Sequence, residues 1–175
     1  MKELIISFDN GISGACCILN LFHDEEVYYF EMPTFKVSSS FKGVGYITRI
    51  DHKQLYRNLE KYIKNRECYV YLERAMKNPG RFKNSISAVR AFEATIITLE
   101  NLDLEYKEID SRKWQHTTLG KEVKGRDNLK IASLHKAQEL FPSFYKDIQK
   151  HKDGDSFLIA YYIKQKILNN EKEFI

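Results

Sequence analysis

Apolar residues follow two rhythms along this chain, and the changes between them mark out its elements. Two apolar runs, Leu4-Ile5-Ile6-Ser7-Phe8 and residues 15–19, flank Asp9 and the turn Asn10-Gly11-Ile12-Ser13-Gly14, which predicts a β-hairpin. After the turn His23-Asp24-Glu25-Glu26, residues 27–32 add a third antiparallel strand and complete a meander. Residues 33–49 show neither rhythm and carry Ser38, Ser39, Ser40, Gly43 and Gly45, so a long mobile loop is expected there. Asp51 is placed to N-cap a helix with Leu55, Leu59, Tyr62 and Ile63 on one face. The run 68–72 is then a fourth strand, ending at Glu73; a helix between two strands marks a parallel crossover.

A basic loop over 75–83, containing Asn78-Pro79-Gly80, leads into a long helix that Asn84 or Ser85 caps and that ends near 101. Ile86, Val89, Phe92, Ile96 and Leu99 form its apolar face; beside it Ala88, Ala91, Thr95 and Thr98 are small enough to admit a second helix, the alternative being that this face only lies on the sheet or faces solvent. Residues 102–109 read as a fifth strand ending near Asp110, and Lys113-Trp114-Gln115 as a short helical or turn segment. A basic, glycine-punctuated loop over 119–126 precedes a helix from Asp127 to Leu140, which Phe141-Pro142 stops. The last helix runs from near Asp153 to about Leu168 and leaves 169–175 as a flexible tail. This order predicts one α/β domain over 1–175, with a five-stranded mixed sheet and helices on both faces.

Composition narrows the classes. A chain of 175 residues, 43% of them apolar, can bury a single sizeable core, and no run of eighteen apolar residues offers a membrane span. Met1-Lys2-Glu3 leads directly into a strand, so no signal peptide is expected. Cys16, Cys17 and Cys68 read as buried thiols of a reducing cytoplasm, and without a CxxC pair or clustered His they argue against zinc. Richness in Lys, Asn, Ile and Tyr suits the cytoplasm of a bacterium or of a phage-infected host cell. The net charge of +4 is unevenly spread. Arg74, Lys77, Arg81, Lys83 and Arg90 meet no acid between 74 and 90, and Arg112, Lys113, Lys121, Lys124, Arg126 and Lys130 outnumber Glu122 and Asp127. Two basic stretches on an acidic remainder suggest a face for a polyanion.

Asp9 and Glu73 both close apolar strands, and if those strands are parallel neighbours their carboxylates lie side by side, where open α/β sheets gather ligands. The last helix adds Asp153 and Asp155 just ahead of Phe157-Leu158-Ile159-Ala160. Acids cannot crowd together ionised without a cation. Hard oxygen donors select Mg²⁺ or Mn²⁺, and two such ions would suit phosphodiester hydrolysis. The plainer alternatives are an Asx turn at Asp9 and helix capping by Asp153 and Asp155.

These residues and their order resemble the RuvC-type Holliday-junction resolvases of the RNase H-like superfamily, in the branch found in bacteriophages and plastids. The likeness covers about residues 3–168. It rests on Asp9-Asn10-Gly11-Ile12-Ser13-Gly14-Ala15, on Tyr71-Leu72-Glu73 with Pro79-Gly80, on Trp114 with Leu119-Gly120, on Lys130-Ile131-Ala132-Ser133 with Leu140-Phe141-Pro142, and on Asp153-Gly154-Asp155-Ser156 with Leu158-Ile159-Ala160. It implies an RNase H-like fold and a homodimer that cuts four-way DNA junctions with two Mg²⁺ or Mn²⁺ ions at Asp9, Glu73, Asp153 and Asp155. Lys130 would be a further catalytic residue, and Lys77, Arg81, Lys83, Lys113, Lys121 and Lys124 would be the DNA contacts. The subunit interface is expected on Ala88, Ala91, Thr95 and Thr98.

Two departures leave alternatives open. The last acids stand two residues apart rather than three or four, so Asp155, Asp153 or His151 could complete the site. Gln115 stands where a basic residue often follows the Trp, so Lys113 or Lys121 would cover that phosphate. Other readings are a nuclease of the same fold for other branched DNA or RNA–DNA hybrids, and a non-catalytic junction-binding module. An actin-type ATPase shares the first loop but needs a second half this chain lacks, so no nucleotide cofactor and no membrane are expected.

Overall fold

The computed structural model describes residues 2–39, 45–64, 66–75, 80 and 82–175, with the backbone alone for 82–84. The hydrophobic strand at the start becomes β1 (Leu4–Asp9), which pairs antiparallel with β2 (Ala15–Asn20), itself paired with β3 (Val27–Glu31). On its other side β1 runs parallel to β6 (Cys68–Glu73), which runs parallel to β7 (Tyr106–Ile109). The five-stranded sheet therefore has the order β3-β2-β1-β6-β7, with β1 at its centre.

Because successive side chains of a strand point to opposite faces, β1 feeds two cores. Leu4, Ile6 and Phe8 join Cys16, Ile18, Val70 and Leu72 beneath α1 (His52–Ile63) and α2 (Phe82–Glu100). Ile5 joins Cys17, Leu19 and Tyr71 beneath α6 (Asp155–Leu168). Around α6 lie α3 (Ser111–Thr118), α4 (Arg126–Leu140), a 3₁₀ turn (Pro142–Phe144) and α5 (Tyr145–His151). Asp51 caps α1 as expected, accepting from the Gln54 amide at 3.0 Å. The three thiols are free and buried.

Four expectations need correction. Residues 33–49 are not all loop: β4 (Thr34–Ser38) and β5 (Tyr46–Ile50) form a separate antiparallel pair, whose connecting residues 40–44 lie outside the described residues. Its outward residues, Phe35 and Tyr46 among them, stay exposed, so it has no burial pattern to read. A further helix, α5, follows Phe144. The end of the chain is packed: Phe174 lies against Tyr71 and Tyr162, and the Tyr71 hydroxyl donates to the Phe174 carbonyl at 3.1 Å. Finally, α2 is rotated from its expected setting. Ala91, Thr95 and Thr98 are buried within the chain itself and Ala88 is half-buried, whereas Val89 and Ile97 are 44% and 43% exposed. Small side chains let α2 settle closely on α1 and β5, so this face is not free for a second subunit.

Candidate active site

The parallel register of β1 and β6 pairs Phe8 with Leu72, which brings the next residues, Asp9 and Glu73, to neighbouring positions at one edge of the sheet. The start of α6 is brought to the same edge by two contacts. Buried Ser7 on β1 donates to the Ser156 carbonyl at 2.7 Å. Gly154 lies so close to α4 that a Cβ there would come within 2.3 Å of the Ala137 Cβ and 2.9 Å of the Ser133 carbonyl oxygen. Only a glycine between the two acids allows this approach.

Each acid is held differently. The Glu73 carboxylate accepts from the indole N–H of Trp114 at 2.9 Å, and Trp114 is wholly buried in α3. Asp155 accepts a short hydrogen bond from the buried Ser133 hydroxyl of α4. Asp153 accepts from the Asp155 backbone N–H at 2.7 Å, so it does cap the helix start while contributing its charge. Among the described residues nothing donates to the Asp9 carboxylate.

Burial is the main cause of the abnormal acidity here. It pushes Asp9 well above the usual carboxylate range, with Asp153, Glu73 and Asp155 adding repulsion and Lys130 opposing them. Burial raises Glu73 to about 7; the Trp114 hydrogen bond lowers it, and Asp153 and Asp110 raise it. Asp155 is also raised to about 7, by burial and then by Asp153 and Glu73, against Ser133 and Lys130. Among the described residues, Lys130 is thus a cation that acts on both Asp9 and Asp155. The mutual influence of the four acids puts them in one electrostatic unit drawn from three core elements.

Two solved structures that this chain resembles are both of RuvC. RuvC of Thermus thermophilus in complex with Holliday junction substrate matches with a TM-score of 0.54 at 9% identity, over 91% of this chain and 92% of that one. A second T. thermophilus RuvC structure matches with a TM-score of 0.56 at 8% identity, over 95% and 96%. The fold is RuvC-like. At this identity the likeness speaks for the RNase H-like architecture alone, and no family model and no curated protein matches the sequence.

On this RuvC-like sheet the remaining expected site residues fall in different places. His151, 9% exposed in its side chain, sets its Nδ1 3.9 Å from Glu31 and its ring edge-on to Tyr29 at 6.2 Å. Lys121 and Lys124 are exposed in the turn joining α3 to α4, the two helices whose Trp114 and Ser133 hold Glu73 and Asp155. Lys113 is also exposed, 3.7 Å from Glu173. Lys77 and Arg81 lie outside the described residues, as does the side chain of Lys83.

Trp114, Ser133, Ser7 and Gly154 carry the site as much as the acids do, and composition offers little to single them out. Trp114, Ser133 and Gly154 each stand in a motif that carries the family resemblance, but the motif gives none of them a role, and Ser7 has no such signal.

The donor set suits a hard divalent cation: oxygen ligands only, with Lys130 the cation that moderates Asp9 and Asp155. Among the described residues, however, no three His, Cys, Asp or Glu side chains stand close enough to hold an ion as arranged. Binding would therefore require the carboxylates to draw together from positions that are now partly committed to Trp114, Ser133 and the helix start.

Proposed function

We propose that this protein is a metal-dependent endonuclease that cuts four-way DNA junctions as a homodimer. The observation that carries the reading is the group of half-buried acids, Asp9, Glu73, Asp153 and Asp155, at the carboxyl ends of the central strands of a RuvC-like sheet. The T. thermophilus neighbour of that fold is bound to a Holliday junction substrate. Asp9, Glu73 and Asp155, with Asp153, would hold two Mg²⁺ or Mn²⁺ ions, which supply water activation and stabilisation of the leaving oxygen. Lys130 offsets charge that develops on the phosphate. Its replacement by Ala is expected to lower kcat by on the order of 10²-fold, with a smaller change in junction affinity.

Lys121 and Lys124, exposed between α3 and α4, are proposed phosphate contacts. Lys121→Ala should lower the slope of log K for junction binding against log salt by about 0.9. An unchanged slope would remove that lysine from the DNA path.

Symmetric cutting of a pseudo-two-fold junction needs two sites at fixed separation, and one set of acids per chain makes a C₂ pair the simplest arrangement. With Ala91, Thr95 and Thr98 buried, the proposed subunit contact moves to the outer side of α2. There Val89 and Ile97 stand exposed, and Ile12, Phe35 and Ile97 line one groove with Arg49 and Arg90. Ile97→Glu adds a charge to an already exposed position, so the chain should fold normally but sediment as a monomer and nick only one strand per encounter.

A gel comparing a mobile four-way junction, linear duplex, flap and RNA–DNA hybrid tests the substrate class. Selective cutting of the junction supports the reading. Equal or better cutting of flap or hybrid would make this a nuclease of other branched substrates, and binding without cutting would make it a non-catalytic junction module.

A further inference from the structure

We propose that Asn10 and Thr95 act as a positioning pair that fixes the backbone carrying Asp9 by tying it to the middle of α2. The inference rests on Asp9 being a metal ligand. Asn10 directly follows Asp9, and its Oδ1 lies 3.2 Å from the Thr95 hydroxyl, which also lies 3.0 Å from the Ala91 carbonyl. That hydroxyl has one proton and cannot donate to both oxygens. With the carboxamide turned over, Asn10 Nδ2 donates to Thr95 and Thr95 donates to Ala91, and both contacts are satisfied together. In either orientation one end of the carboxamide is held by Thr95, while the other is buried without a partner among the described residues. A buried amide end without a partner is costly. Ser, Asp or Gly would build the same turn without it, so the link to Thr95 is what recommends Asn here.

The other side of the Asp9–Asn10 peptide is closed by Gly14. A Cβ on Gly14 would come within 1.9 Å of the Asp9 carbonyl oxygen, and the Gly14 amide donates to the Gly11 carbonyl at 3.1 Å. The peptide is therefore held between the hairpin turn and α2. Thr95 is wholly buried and distant in sequence, so the tie joins β1 to the helix that follows the Glu73 loop. Nothing else among the described residues restrains the Asp9 carboxylate by hydrogen bonding. Its direction depends on this backbone.

The test is Mn²⁺ binding followed by calorimetry, on the parent, Thr95→Val, Thr95→Ser and Asn10→Ala. Removing an outer partner of a metal ligand typically weakens metal affinity by about 10–100-fold. That loss is expected for Thr95→Val and Asn10→Ala, with Thr95→Ser near the parent and junction affinity in EDTA unchanged in all. Amide exchange supplies a reading independent of metal: residues 10–14 should exchange faster in Thr95→Val while the rest of α2 keeps its protection. Folded Thr95→Val with parental Mn²⁺ affinity would overturn the proposal. If Thr95→Val fails to fold, Asn10→Ala decides by the same criterion. A parent that binds no Mn²⁺ would contradict the metal reading itself, and unchanged exchange over residues 10–14 would then overturn the positioning pair separately.

Discussion

Asp9→Asn protein is expected to bind a four-way junction with parental affinity and to cut it slower by roughly 10²–10³-fold or more, the scale of losing one central electrostatic element of an active site. Asp9 is raised well above the usual carboxylate range by burial and by each of its three acidic neighbours. It also keeps a carboxylate to which no described residue donates, unlike Glu73 and Asp155. A neutral amide of the same shape relieves the repulsion, so folding should not suffer. It also removes a hard anionic ligand. An Asp9→Asn protein with parental turnover would remove the acids from the chemistry altogether.

The second large effect concerns stability against pH. Without metal, folded Glu73 and Asp155 hold their protons to about pH 7, and Asp9 titrates well above its usual range. In the unfolded chain all three lose theirs near pH 4. Between those limits the folded state binds more protons than the unfolded one, so stability falls as the pH rises. The contribution is fully present below about pH 4 and is lost as the pH passes through 7. Allowing for the partial exposure of these groups, the loss is on the order of 1–3 kcal/mol, or about 2–4 °C of melting temperature per kcal/mol for a chain of this size. In EDTA the protein should melt several degrees lower at pH 8 than at pH 5.5. Mg²⁺ at pH 8 should recover the difference, and Asp9→Asn should flatten the profile. A flat parental profile in EDTA would show that these acids do not share a buried site.

Much of the architecture was legible because β1 and β6 have the unbroken apolar character of strands buried on both faces, and each ends abruptly in an acid. That alone brings Asp9 to Glu73 once the two strands are parallel neighbours. The acids of the α6 start were legible for a similar reason, since the apolar run after Ser156 has to lie on the sheet. The partners of those acids were not. The indole N–H of Trp114 reaches a residue 41 positions away, and nothing in an amphipathic segment says which carboxylate it will meet. Ser133 and Ser7 are single polar residues within apolar patterns, and each is satisfied by a contact that only the packed structure creates. The setting of α2 was ambiguous because the helix has two adjoining faces that could both be buried. Close packing selected the smaller one. The β4–β5 pair escaped because an exposed two-stranded ribbon needs no alternation of apolar and polar positions.

The most direct test of the whole account uses one substrate, a mobile four-way junction labelled on two opposing strands and incubated with the purified protein in Mg²⁺ and in EDTA. Paired incisions, placed symmetrically across the branch point in Mg²⁺ and absent in EDTA, are the predicted result. Junction that stays intact in Mg²⁺ while fully bound, or cutting that persists in EDTA, would contradict it.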